Sequence, residues 1–127
     1  MNLILDSCAL IALTNGTLPD AAHAALESCN FAYASSASVW EIAIKAKSGK
    51  LILPKPAEKW FIELREEYDL IEIPLLADIA CAAADLPLLH RDPFDRALIA
   101  TAMKRNLILI TSDQAIPDYP GIRVIWN

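Results

Sequence analysis

The 127-residue sequence predicts an α/β fold around a parallel sheet covered on both faces. Short apolar runs alternate with longer helical stretches along the chain, and the runs lack the in-out alternation of a strand that faces water on one side. Each strand-helix-strand passage should then be a right-handed crossover. One domain is expected over residues 1–127, since a chain of this length buries a core without disulfide or metal staples.

Strands are expected at residues 3–5, 31–34, 70–73, 107–110 and 122–126, where apolar, β-branched and aromatic side chains cluster. Helices are expected at 8–13, 20–29, 37–47, 57–68, 77–84 and 93–105. The start, MNLILDSCALIAL, has no basic leader and is interrupted by Asp6 and Ser7, so it reads as strand then helix rather than as a signal segment. No apolar run is long enough to span a bilayer, and a cytoplasmic, non-membrane protein is expected. Cys8, Cys29 and Cys81 are widely spaced, which disfavours zinc and a disulfide framework; they are expected as small buried residues in a reducing compartment. With glycine only at 16, 49 and 121, no glycine-rich phosphate loop can be written. A composition of 55% hydrophobic residues suggests surface covered by a partner.

The informative residues are acidic. Two apolar strands run directly into aspartate, LIL into Asp6 and LILITS into Asp113. In HRDPFDRALIATA, Asp92 stands at the N-cap position with Pro93 following, while Asp95 falls in the first turn, where capping and chemistry are both open to it. Glu41 sits in an otherwise apolar stretch of its helix, with Lys45 four residues on as the partner it would have on an ordinary surface. Ligands of open parallel sheets bind beyond the carboxyl ends of strands at a topological switch point, so Asp6, Glu41, Asp95 and Asp113 are expected on one edge. Four acids without compensation oppose one another's ionisation. Oxygen donors of this kind suit a hard cation, Mg²⁺ or Mn²⁺, and such a cation points to phosphodiester hydrolysis.

The pieces LILDS, SSASVWEIAIKAKSGKL, HRDPFDRALIATA, LILITSD and IRVIWN, in this order, resemble the PIN domain, and within it the toxin of VapBC toxin–antitoxin pairs. The resemblance implies a PIN-like three-layer α/β/α sandwich with a parallel five-stranded sheet. It implies a metal-dependent endoribonuclease, usually a homodimer, held inactive by a VapB-like antitoxin. Asp6, Glu41, Asp95 and Asp113 fall on the family's acidic positions as catalytic and metal-binding residues, and Ser7 and Ser112 match the hydroxyl residues beside the first and last acids. A catalytically silent PIN-type protein-interaction module is the alternative. A haloacid-dehalogenase-like phosphatase is disfavoured because Cys8 stands where a second aspartate is required, and a receiver domain because no adjacent acidic pair follows a strand.

The net charge of −5 is unusual for a nucleic-acid enzyme, but setting the four acids aside brings the acidic and basic residues nearly level. Lys45, Lys47 and Lys50, with Arg91 and Arg96, are candidate RNA contacts; for the lysines a solvated helix end is the competing explanation. Asp92 is assigned to capping. His90 is read as structural, with a bond to one of the carboxylates as the alternative.

Overall fold

The computed structural model describes residues 1–116 and 119–127. These form β1 (Asn2–Leu5), α1 (Ser7–Asn15), α2 (Asp20–Ser28), β2 (Phe31–Ser35), α3 (Ser36–Lys47), α4 (Ala57–Tyr68), β3 (Leu70–Ile73), α5 (Ala77–Asp85), α6 (Pro93–Arg105), β4 (Ile108–Ile110) and β5 (Val124–Ile125). The sheet has five strands in the order β3-β2-β1-β4-β5, and every neighbouring pair is parallel. From β1 the chain winds outward through β2 to β3 and then returns to the other side of β1 as β4. The switch point is therefore the β1/β4 boundary.

The strands are apolar on both faces because helices cover both. Leu3, Leu5 and Ile110 pack with Leu10, Leu13, Trp60, Phe61 and Leu64 on the side of α1, α2 and α4. Ile4 and Leu109 point the opposite way, into Ile79, Leu98 and Ile99 of α5 and α6. This is the three-layer α/β/α sandwich. The central helix α6 is buried without a break from Arg96 to Ala102, which explains why its sequence carries no clear polar face.

Helix ends are set locally. The Asp6 carboxylate accepts the Ala9 N–H at 2.8 Å and caps α1, whose other end closes on Gly16 in the left-handed region (φ 69°). Ser35 caps α3 through the Ala37 N–H at 3.0 Å. Asp92 caps α6 through the Phe94 N–H at 2.9 Å, with Pro93 opening the helix. Asp92→Ala should therefore cost about 1 kcal/mol in a denaturant melt, the usual loss for a removed N-cap, and leave the carboxylates described below in place.

Two expectations need correction. The last strand is shorter than residues 122–126, because only Val124 and Ile125 pair with β4. The cysteines are free thiols, but Cys8 and Cys81 are exposed and Cys29 is half-buried. Cys8 lies in the open first turn of α1 and Cys81 on the exposed side of α5, so neither joins the core.

Candidate metal centre

The carboxyl edge of the sheet gathers the acids. Asp6 leaves β1 and is 4% exposed, its backbone N–H bonded to the Ile110 carbonyl of β4 at 3.1 Å. Asp113 follows β4 across the same switch point. Glu41 enters from α3 and is buried; Asp95 enters from the first turn of α6. One oxygen each from Asp95 and Asp113 and one ring nitrogen of His90 lie within 4.8 Å of one another.

Asp6 and Asp95 carry the strain of this arrangement. Burial raises Asp6 to a pKa of about 6, with the Glu41 and Asp113 charges adding and the Thr111 hydroxyl and Ala9 N–H opposing. Burial and then the Asp92 charge raise Asp95 to about 7, helped by Glu41 and Asp113 and opposed by His90. Asp113 ends below the ordinary carboxylate range: burial pushes it up, but the His90 bond, the Ala115 N–H and the His90 charge together outweigh that. The acids thus act on one another as a cluster.

Hydrogen bonds tie the edge together. Ser7 Oγ donates to Glu41 Oε1, while Lys45 Nζ donates to Glu41 Oε2 at 2.9 Å. Glu41 is thus buried and also paired with Lys45, so the two explanations open for it in the sequence are not exclusive. His90 Nε2 bonds Asp113 Oδ2 at 2.8 Å and lies 3.1 Å from Asp95 Oδ2. Burial lowers the pKa of His90, but the Asp113 bond and the charges of Asp95, Asp113 and Asp92 raise it overall. The Asp92 N–H donates to Nδ1 at 3.2 Å and opposes the imidazolium, since a protonated Nδ1 would face another donor. Asp113 Oδ1 accepts the Ala115 N–H at 2.9 Å.

The flanking residues divide. Ser7 is in the cluster, but Ser112 is exposed; the buried hydroxyl at this end is Thr111, which accepts the Asp113 N–H at 3.0 Å and favours ionised Asp6. Lys47, Lys50 and Arg91 are exposed, and Lys45 is spent on Glu41. Arg96 is the correction among the basic candidates. It is 8% exposed, and its guanidinium donates to the carbonyls of Ala83, Ala84, Leu86, Pro87 and His90 at 2.7–3.3 Å. Helix α5 ends at Leu86 without a left-handed cap, so its last carbonyls need an outside donor, and Arg96 supplies it. Arg96→Ala should cost about 2 kcal/mol by removing the charged donor shared by these part-buried carbonyls, which chemical denaturation would detect.

Thr111 and Tyr119 are the residues that the sequence left out of the cluster, and for His90 the structure takes the alternative of a bond to a carboxylate. The signal for Thr111 was its place two residues before Asp113, where a hydroxyl readily takes a backbone N–H. No comparable signal marked Tyr119, which reaches His90 from 29 residues away.

The donor set fits a hard divalent cation, because buried carboxylates with raised pKa values lack the positive charge that would let them ionise together. Fold and site together define a parallel α/β/α protein with an acidic centre at its switch point. The PIN domain family matches residues 3–122, and this chain belongs to it. No curated protein matches the sequence. Among solved structures, a chain of VapBC2 from Rickettsia felis bound to a DNA fragment from their promoter superposes with a TM-score of 0.76 at 18% identity, covering 100% of both chains. A chain of DNA-bound VapBC from Salmonella typhimurium gives 0.69 at 17% identity over 98% of this chain and 97% of that one. A toxin–antitoxin complex from Klebsiella pneumoniae gives 0.68 at 24% identity over 97% and 95%. At these identities the likeness speaks for the shared fold.

Proposed function

We propose that this protein is a metal-dependent endoribonuclease of the VapC type, the toxin of a toxin–antitoxin pair, with residues 1–127 forming a single PIN domain that acts in the cytoplasm. The observation that carries this reading is the meeting of Asp95 and Asp113 with His90 at the carboxyl edge of the sheet, with the Asp6 and Glu41 charges acting on the same group and with Asp6 and Asp95 held above the ordinary carboxylate range. Membership of the PIN family and the likeness to toxin–antitoxin complexes support it.

Asp6, Glu41, Asp95 and Asp113 would hold Mg²⁺ or Mn²⁺. When bound, such a cation activates water and offsets charge on a phosphoryl group. The chain's own residues supply the rest. Thr111 and the Ala9 N–H hold Asp6, Ser7 and Lys45 orient Glu41, and the Ala115 N–H fixes Asp113. Exposed Lys47, Lys50 and Arg91 would contact RNA phosphates. A homodimer and a VapB-like antitoxin are the expected protein partners, the antitoxin covering apolar surface near the first helices and placing a cationic group by the acids.

The test is incubation of purified, antitoxin-free protein with RNA in Mg²⁺ or Mn²⁺. Endonucleolytic products should form, disappear with chelator and be absent for Asp6→Asn. Intact RNA with folded wild-type protein in either metal would favour the silent interaction module.

A further inference from the structure

His90 lies in the loop between α5 and α6, yet it is held on several sides. Its backbone N–H donates to the Tyr119 hydroxyl at 2.8 Å, and its carbonyl accepts from Arg96 Nη1 at 3.2 Å. The Tyr119 hydroxyl donates in turn to the Pro87 carbonyl at 2.9 Å, and both Tyr119 and Arg96 are buried. The Asp92 N–H takes ring Nδ1, which leaves Nε2 as the N–H turned toward Asp95 and Asp113. A loop histidine free to rotate would have several rotamers; this one is fixed at its backbone and on its ring.

We infer that His90 is the positioning residue of the cluster: its Nε2–H, aimed by the Arg96–Tyr119 clamp and the Asp92 N–H, keeps the Asp95 and Asp113 carboxylates converged so that both are in place when a hard divalent cation binds. Two like charges with free side chains would separate. A shared donor offsets their repulsion, and a carboxylate oxygen has a second lone pair with which to meet a cation. Neither Arg96 nor Tyr119 is an acid of the centre, yet both reach it through the same loop. The inference rests on the metal-dependent reading above and adds to it a residue outside the four acids.

The experiment is calorimetric titration of Mn²⁺ into the full chain as wild type, His90→Phe, His90→Gln and Tyr119→Phe, with the fold of each checked by circular dichroism. Loss of a group that orients metal ligands typically weakens affinity about 10- to 100-fold, and His90→Phe should fall in that range. His90→Gln, which offers an N–H near the place of Nε2, should recover most of the loss. Tyr119→Phe touches no carboxylate and should still weaken Mn²⁺ binding, and it keeps the test open if His90→Phe does not fold. A role confined to holding the loop would lower melting temperature without moving affinity. Wild-type affinity in His90→Phe, or tighter binding because the ring competes with the cation, overturns the inference while leaving the metal site standing. His90→Gln as weak as His90→Phe overturns it as well, and unchanged affinity in Tyr119→Phe overturns the clamp. No Mn²⁺ binding by wild type sinks the metal-dependent reading and this inference with it.

Discussion

Asp95→Asn is expected to abolish metal-dependent cleavage while making the metal-free protein more stable. The carboxylate caps no helix; Asp92 does that, and the oxygen of Asp95 closest to a partner faces His90. Its pKa of about 7 means that keeping it charged in the fold is unfavourable at neutral pH and above. Each pKa unit corresponds to about 1.4 kcal/mol, so after allowance for coupling among the acids the neutral amide should gain on the order of 2 kcal/mol near pH 8. Cleavage should fall by about a hundredfold or more, because a ligand to a charge-stabilising cation is lost. Denaturant melts and a timed RNA assay on the same preparations check both halves. A variant less stable than wild type without metal, and fully active, would make Asp95 a helix starter only.

The second large effect is a reversal of pH dependence on adding metal. Folded Asp6 and Asp95 keep their protons up to about pH 6 and 7, whereas unfolded aspartate releases its proton near 3.8. Between those limits the folded state binds more protons than the unfolded chain, so stability falls as pH rises, and the loss is complete above the folded pKa values. His90 acts in the same direction, since its pKa is raised: its contribution is full below the unfolded value and is lost as pH rises through the folded one. Asp113, with a lowered pKa, works the opposite way, but only in acid below the ordinary carboxylate range. Metal-free protein should therefore melt lower at about pH 8 than at about pH 5.5. Mn²⁺ needs the ionised carboxylates, so its stabilisation should grow over the same interval and reach ~2.7 kcal/mol at about 100 times its dissociation constant. Thermal scans with and without Mn²⁺ or chelator measure this. A metal-free stability that rises with pH across the interval would mean that the two aspartates are not held as described.

The fold was legible because its determinants are local. Apolar runs and their punctuation located each strand and helix to within a few residues, and β5 was the most overextended, since Ile122 and Trp126 read as strand residues but do not pair. The place of Asp6 and Asp113 on one edge could also be reasoned from sequence: Asp6 directly follows β1 and Asp113 lies just beyond β4, and a parallel sheet with a switch point puts such ends together. What the sequence concealed depends on where distant side chains point. Arg96 looks like a surface cation beside an acidic turn; it is buried because α6 is the inner helix and because α5 ends without its own cap. His90 faces the acids only because of a loop held by Arg96 and by Tyr119, two contacts without a periodicity to reveal them. The cysteines illustrate the weakness of a residue-type average: Cys8 and Cys81 are exposed because of their places on α1 and α5.

The most direct measurement of the central claim is a crystal structure of the full chain soaked in Mn²⁺, with anomalous scattering used to locate the ion. The account predicts a peak at the β1/β4 switch point among the carboxylates of Asp6, Asp95 and Asp113, absent from a crystal of Asp95→Asn treated in the same way. Manganese found only elsewhere on the protein, with these carboxylates accessible and their arrangement unchanged, would contradict it.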